Sequence, residues 1–102
     1  MTKRTLHPVH PGEVISEDIL AELGMSAKEL AKQLGVAPNR ITEIIRGRRS
    51  ITADTALRLA RWLGGPPEIW LDLQRRYDLE TAELASGDVI RQTVKPRVSE
   101  AA

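Results

Sequence analysis

The sequence predicts an all-α domain of five helices. Apolar residues recur at intervals of three and four along most of the 102 residues, and this spacing places them on one face of each helix. Glycines and prolines interrupt the pattern where helices are expected to end and begin. The chain has no Phe and only three aromatic residues, Trp62, Trp70 and Tyr77, so aliphatic side chains must form the core. This composition favours helices over a β-sandwich.

Residues 1–9 are expected to form a flexible arm, because this segment is polar, basic and contains proline. His7 and His10 lie close together there. Two imidazoles without a cysteine or a further histidine make a poor zinc site, so a surface or capping role is favoured for both. No metal site is predicted.

A first helix is expected from Pro11 to Leu23, with Gly24 ending it. Its inner face has apolar side chains at helical spacing: Val14, Ile15, Ile19, Leu20 and Leu23. Its outer face is acidic, with Glu13, Glu17, Asp18 and Glu22. DNA would repel such a surface, so we expect it to face solvent or a basic partner.

Residues 26–46 have the pattern of two short helices joined by a tight turn. Ser26 and Glu29 have the spacing of a capping box at the start of the first helix. Gly35 suits the left-handed conformation of a helix C-cap, and Pro38 suits the first turn of the next helix. This arrangement is the helix-turn-helix unit of DNA-binding proteins.

The second helix of the unit is expected to bury Ile41, Ile44 and Ile45 and to point its polar side chains outward. We predict that these outward residues read base edges: Asn39, Arg40, Thr42, Glu43 and Arg46. Phosphate contacts are predicted for the surrounding polar and basic residues: Ser26, Lys28, Lys32, Arg48 and Arg49. For Arg48, the alternative is an ion pair with an acid such as Asp54 that fixes the loop.

The net charge of +1 is unevenly distributed. Residues 26–50 carry six basic and two acidic side chains, a net +4, whereas residues 1–25 sum to −2 and those from 51 onward to −1. One positive face on a neutral or acidic body is typical of phosphate contact, and the alternative is a solvated charged face. Because the cluster coincides with the helix-turn-helix unit, double-stranded DNA is the predicted partner.

A fourth helix is expected to begin after Thr52 and to end at Gly64 and Gly65. Its predicted buried face comprises Ala56, Leu57, Leu59, Ala60 and Leu63, with Trp62 at the edge. A fifth helix, residues 67–84, is apolar over a wide arc, so a second copy of the chain is expected to cover part of it. The predicted dimer interface is Ile69, Trp70, Leu73 and Tyr77. The alternative is that these side chains pack into their own core.

Residues 86–102 are expected to be a loosely ordered tail, since helical periodicity fades there. The predicted domain therefore covers residues 10–85. Two copies, each with one helix-turn-helix unit, would read half-sites about 34 Å apart in a palindrome.

The residues Leu30, Ala31, Leu34, Gly35, Val36, Ile41 and Ile44 resemble the Cro/repressor (XRE) helix-turn-helix family, whose fold is Cro/lambda-repressor-like. Ala27 stands near the place of a glutamine that many members carry. Residues 10–19, 47–64 and 66–82 add a closer resemblance to the HigA (VapI-like) antitoxins, which covers about residues 7–85. The "WLDLQ" run of the last helix is its most specific part.

The resemblance to HigA implies a partner that no composition or spacing shows. Antitoxins of this family neutralise a HigB-type, RelE-like toxin that cleaves messenger RNA, and they repress the operon that encodes both. Such toxins tend to be basic, so the acidic face of the first helix and the terminal segments are the expected contacts. The alternative function is a stand-alone XRE-family repressor without a toxin.

Other classes of protein find little support in the sequence. There is no cysteine nucleophile, no HExxH motif and no phosphate-binding glycine loop, so neither an enzyme nor a cofactor is predicted. No segment approaches the roughly 20 apolar residues of a membrane helix, and no apolar signal segment is recognised. The absence of cysteine fits a cytoplasmic protein.

Overall fold

The computed structural model describes residues 7–98, which form five helices and no strand. The first helix, α1, has three consecutive parts, Pro11–Val14, Ile15–Leu20 and Ala21–Leu23. The others are α2 (Ala27–Leu34), α3 (Pro38–Ile45), α4 (Ala53–Leu63) and α5 (Glu68–Thr93). The all-α prediction is confirmed, and the first four helices lie where the sequence placed them.

The core is aliphatic, with one tryptophan from α5. Its buried members come from all five helices and from the loop before α4: Ile15, Ile19, Leu30, Ala31, Leu34, Ile41, Ile44, Ile51, Ala56, Leu59 and Trp70. Burying these side chains is the main favourable term in folding. Three leucines that periodicity assigned to the core, Leu23, Leu57 and Leu63, are instead exposed by 55%, 59% and 42%. Leu57 lies beside the buried stripe of α4, whereas Leu23 and Leu63 are the last residues of their helices, and spacing alone shows neither circumstance.

The middle of α1 is a π-helix, which the sequence did not indicate. Residues Ile15–Leu20 form it, and the Ala21 N–H bonds to the Ser16 carbonyl five residues earlier. Both Ile15 and Ile19 remain buried in this wider turn.

Gly12 sits where α1 crosses α3. A Cβ atom at this position would overlap the backbone carbonyl of Ile44, and it would also lie 2.9 Å from the Ile45 Cα. The two backbones therefore approach closely only because residue 12 lacks a side chain. This contact fixes the helix-turn-helix unit against α1.

His10 is buried, so the surface role considered for it is wrong, whereas the capping role is confirmed. Its Nδ1 accepts a hydrogen bond from the Gly12 N–H over 2.9 Å, at the start of α1. Its ring meets the Tyr77 ring edge to face, with centroids 4.7 Å apart. His10 thus joins the start of α1 to α5. His7 is exposed and its Nε2 lies 3.3 Å from Glu13 Oε2.

Helix α5 runs nine residues beyond its predicted end, so the expectation of a loosely ordered tail is wrong for residues 86–93. Arg91 forms two exposed ion pairs in this part of the helix, since its Nη1 lies 2.6 Å from Glu83 Oε2 and its Nη2 lies 2.8 Å from Asp88 Oδ1. The pair with Glu83 spans the turn that contains Gly87. The first six residues of the predicted arm and the last four of the predicted tail lie outside the described residues.

None of the helices within residues 7–98 is both long and apolar enough to cross a membrane.

Candidate nucleic-acid interface

The helix-turn-helix unit forms as its sequence predicts. The Ser26 side chain accepts the Glu29 N–H over 3.1 Å, and the Glu29 carboxylate accepts the Ser26 N–H over 2.8 Å, which completes the capping box. Gly35 has a φ of 72°, and Pro38 is the first residue of α3. Local preferences of these residues therefore contribute to the turn between α2 and α3.

Helix α3 turns its isoleucines inward and its polar residues outward. Ile41 and Ile44 are fully buried, whereas Asn39 and Arg46 are exposed. Thr42 and Glu43 are half-buried, and the Thr42 hydroxyl donates to the Asn39 carbonyl over 3.3 Å. Of the predicted base-reading residues, Asn39 and Arg46 have the most accessible side chains.

Arg40 is held by α4. Its Nη1 lies 2.6 Å from Asp54 Oδ2 and 3.4 Å from Thr55 Oγ1, and its side chain is 30% exposed. The Arg58 and Arg40 guanidiniums, which donate to the Asp54 carboxylate, keep the pKa of that carboxyl below its usual value. The direction of the Arg40 side chain is thus determined by its contacts with α4 as well as by its position on α3.

Arg58 connects this pair to the turn between α2 and α3, a role that the sequence analysis missed. Its Nε donates to Asp54 Oδ2 over 2.8 Å, and its Nη1 donates to the Leu34 carbonyl over 2.9 Å. The Leu34 carbonyl belongs to the last turn of α2, where carbonyls lack partners within the helix. The i, i+4 spacing of Asp54 and Arg58 was the available signal.

The five residues predicted to contact phosphates, Ser26, Lys28, Lys32, Arg48 and Arg49, are all exposed. Arg49 and Arg40 line the same shallow cavity of about 290 Å³, together with Thr52, Asp54 and Arg58. The alternative ion pair of Asp54 with Arg48 does not form; Asp54 Oδ2 pairs with Arg40 and Arg58 instead.

The loop that follows α3 is fixed at both ends. The Arg48 N–H donates to the Glu43 carbonyl over 2.9 Å, which closes α3. At the other end, the buried Gln74 of α5 accepts the Ile51 N–H on its Oε1 over 2.8 Å, and its Nε2 donates to Asp78 over 2.9 Å. The loop that presents Arg48 and Arg49 is therefore anchored to α5 as well as to α3.

Comparison with known proteins agrees with this geometry. The HTH_3 helix-turn-helix family model matches residues 17–70. Virulence-associated protein I of Dichelobacter nodosus is 52% identical over 81 residues, which cover 79% of this chain and 75% of that protein. A solved structure described as an addiction module antidote protein of the HigA family from Coxiella burnetii has a TM-score of 0.84 and 49% identity. The structural match covers 89% of this chain and 99% of the Coxiella burnetii chain.

The chain belongs to the HigA (VapI-like) family of helix-turn-helix proteins. The resemblance found in the sequence is thereby confirmed, and this family is a class of DNA-binding regulators and not a class of enzymes. A further HigA structure, the Pseudomonas aeruginosa antitoxin with the higBA promoter, has a TM-score of 0.86 and 36% identity. The structural match covers 90% of this chain and 100% of the Pseudomonas aeruginosa chain.

The predicted dimer interface of this HigA-family chain needs one correction. Trp70 is only 7% exposed and packs into the core of its own chain, so it does not offer a surface to a second copy. Leu73 also packs against the core, and Tyr77 is half-buried beside His10. Ile69 alone among the four is well exposed, at 52%. Part of the wide apolar arc of α5 is therefore explained by Trp70, which packs into the core.

Within residues 7–98, no group of three or more histidine, cysteine, aspartate or glutamate side chains is arranged to bind a metal ion.

Proposed function

We propose that this protein is the antitoxin of a type II toxin–antitoxin module. It binds the operator of its own operon as a dimer, represses transcription, and neutralises a HigB/RelE-like toxin that cleaves messenger RNA. It acts in the cytoplasm, where the operator and the messenger RNA are found, and it has no catalytic activity of its own.

The observation that carries the DNA-binding proposal is that α3 exposes polar side chains while contacts with the rest of the domain hold the helix in place. Asn39 and Arg46 are exposed on this helix, while Ile41 and Ile44 anchor it to the core. Gly12 and the anchored loop after α3 hold both ends of the unit, so the face is organised before DNA arrives. The HigA relative from Pseudomonas aeruginosa, which is described with its promoter, supports the same use of the fold.

Two kinds of contact are assigned to this face. Asn39, Arg40, Thr42, Glu43 and Arg46 read bases in the major groove, where side-chain donors and acceptors distinguish base pairs. Ser26, Lys28, Lys32, Arg48 and Arg49 bind phosphates, and their exposure suits that role. The phosphate contacts supply affinity that falls with salt concentration, whereas the base contacts supply sequence preference.

A second copy is proposed to pack on α5. This helix exposes several large apolar side chains along its length: Ile69, Leu71, Leu79, Leu84, Val89 and Ile90. Large apolar side chains left exposed along one helix are a feature of surfaces that bind another protein. Two recognition helices related by a two-fold axis would bind a palindromic operator.

The toxin contact is proposed for the acidic outer face of α1. Glu17, Asp18 and Glu22 are exposed there, and Leu23 beside them is 55% exposed. This surface is acidic where the helix-turn-helix unit is basic, so a basic toxin and DNA would bind different parts of the protomer.

Two experiments test the function. The protein is co-expressed with the product of the adjacent gene, and purification through a tag on the antitoxin shows whether a toxin is retained. A gel shift on the shared promoter, against a random duplex of equal length, tests operator binding. Promoter preference without a retained toxin would indicate the stand-alone repressor. Equal binding to both duplexes would contradict sequence-specific repression.

A further inference from the structure

We propose that Asp54 is a positioning residue for DNA recognition: it orients Arg40, and Arg58 in turn fixes Asp54. This inference rests on the proposed operator binding, because it concerns how one side chain of that surface is directed. Neither Asp54 nor Arg58 belongs to the set of residues assigned to DNA contact. Both lie on α4, the helix that follows the recognition helix in the sequence.

The hydrogen bonds of Arg40 divide its guanidinium into two parts. Both donors on Nη1 have partners, Asp54 Oδ2 at 2.6 Å and Thr55 Oγ1 at 3.4 Å. Within residues 7–98, Nε and Nη2 have no hydrogen-bond partner. These two atoms form an edge that can bind two acceptors at once, such as guanine O6 and N7 or two phosphate oxygens. Asp54 therefore selects the edge of Arg40 that is offered to DNA.

Arg58 makes this selection rigid. An exposed ion pair between two side chains contributes little order by itself, and the Asp54 side chain is 55% exposed. Here, however, Arg58 binds the same Asp54 oxygen through Nε while its Nη1 is held by the Leu34 carbonyl. Arg40, Asp54 and Arg58 thus join α3, α4 and the end of α2 in one network, which restrains Arg40 at both its backbone and its guanidinium.

The negative charge of Asp54 orients the Arg40 guanidinium but lowers the affinity of the surface for DNA. A carboxylate in the cavity that Arg40 and Arg49 line lowers the positive potential of the surface and so weakens attraction to phosphate in general. The Asp54 carboxylate can offset this loss of affinity by improving discrimination between DNA sequences. Removing the charge of Asp54 should therefore strengthen binding to random DNA and weaken the preference for the operator.

The experiment measures dissociation constants of the full-length protein for its own promoter and for a random duplex of equal length, over a range of salt concentrations. For Asp54→Asn, we expect the preference for the promoter to fall about tenfold and the salt slope to steepen by up to about one. Arg40→Ala should lower the preference by a similar factor. Because both variants act on the same contact, the double variant should lose no more preference than Arg40→Ala alone.

Asp72→Asn is the matched control, since Asp72 is an exposed α5 carboxylate paired with Arg75 at 3.4 Å, and it should leave the preference unchanged. If Asp54→Asn folds poorly, Arg58→Lys serves instead. It keeps the charge but lacks the fork that reaches both Asp54 and Leu34, so it should also lower the preference.

The outcomes separate this inference from the proposed function. A wild-type protein without promoter preference would remove both. A selective wild-type protein whose preference survives in Asp54→Asn and Arg58→Lys, or whose losses for Asp54→Asn and Arg40→Ala simply add, would overturn the positioning role and leave operator binding in place.

Discussion

Gln74 Oε1 accepts the backbone N–H of Ile51 over 2.8 Å, although the two residues are 23 positions apart. Both residues are buried, and a buried N–H without an acceptor is costly. The bond fixes the segment that leads from the basic loop into α4. In this way the last helix determines where Arg48 and Arg49 stand relative to the recognition helix.

Gln74→Ala should lower the free energy of unfolding by about 1–3 kcal/mol, because it leaves the Ile51 N–H buried without a partner. Urea denaturation measures this change. Gln92→Ala is the control, since Gln92 lies exposed on the same helix and should change stability by less than about 0.5 kcal/mol. Equal effects of the two substitutions would contradict the anchoring role of Gln74.

Gly12→Ala should destabilise the protein by about 1–3 kcal/mol or more, because the new methyl group overlaps the Ile44 carbonyl and the backbone cannot move aside easily. Gly87→Ala provides a matched contrast on α5. The atoms nearest to its methyl group would be the ends of the Glu83 and Arg91 side chains, which can turn away. The gain in helix propensity should then leave stability unchanged or up to about 1 kcal/mol higher. Thermal unfolding of both variants distinguishes the two sites.

Stability should fall as the pH drops below about 6.5, the ordinary pKa of the His10 imidazole. Burial lowers the pKa of His10 in the folded protein, although the nearby Asp78 and Glu13 carboxylates oppose this effect. Between the two pKa values the unfolded chain binds a proton that the folded chain does not, so acid favours unfolding. Protonation would also remove the Nδ1 acceptor of the Gly12 N–H.

Urea midpoints measured between about pH 5 and pH 8 test this prediction. His10→Asn keeps a side-chain acceptor at the N-cap without a group that titrates in this range, so its stability should depend less on pH. His7→Asn removes the other imidazole of the chain and should retain the acid sensitivity. A wild-type dependence that persists unchanged in His10→Asn would contradict the assignment to His10.

Asn39→Ala and Arg48→Ala should separate base reading from phosphate binding. Loss of Asn39 should weaken promoter binding by about 1–3 kcal/mol and leave binding to random DNA nearly unchanged. Loss of Arg48 should weaken both and reduce the salt slope by about one. Arg75→Ala on α5 is the control for charge. If Asn39→Ala affected the two duplexes alike, the assignment of that side chain to base readout would be wrong.

Ile69 and Trp70 are neighbours in sequence with different expected roles. Trp70→Ala should lower the free energy of unfolding by about 3–5 kcal/mol, since it removes a buried core side chain. Ile69→Ser should change stability little and should weaken self-association, which sedimentation equilibrium measures. Undiminished self-association of Ile69→Ser would place the dimer surface elsewhere than this part of α5.

Much of the fold and part of the candidate site could be predicted from local patterns. The Ser26–Glu29 capping box, the Gly35 turn and the start of α3 at Pro38 depend on residues within a few positions of each other. Hydrogen bonding and steric preference at that range are properties of the sequence itself. The exposure of Lys28 and Lys32 followed from helical periodicity, because charged residues lie opposite the apolar stripe of α2, whereas Arg48 and Arg49 are exposed in the loop after α3.

The sequence by itself determined that this chain is helical, where its recognition helix begins, and to which family it belongs. Tertiary structure decided that Arg40 is tethered to Asp54, that Trp70 enters the core, and that Gln74 fixes the loop after α3. These contacts join residues between 14 and 23 positions apart, or depend on which side of a broad apolar arc meets the core. No local preference specifies such pairings, since each depends on how the helices pack against one another.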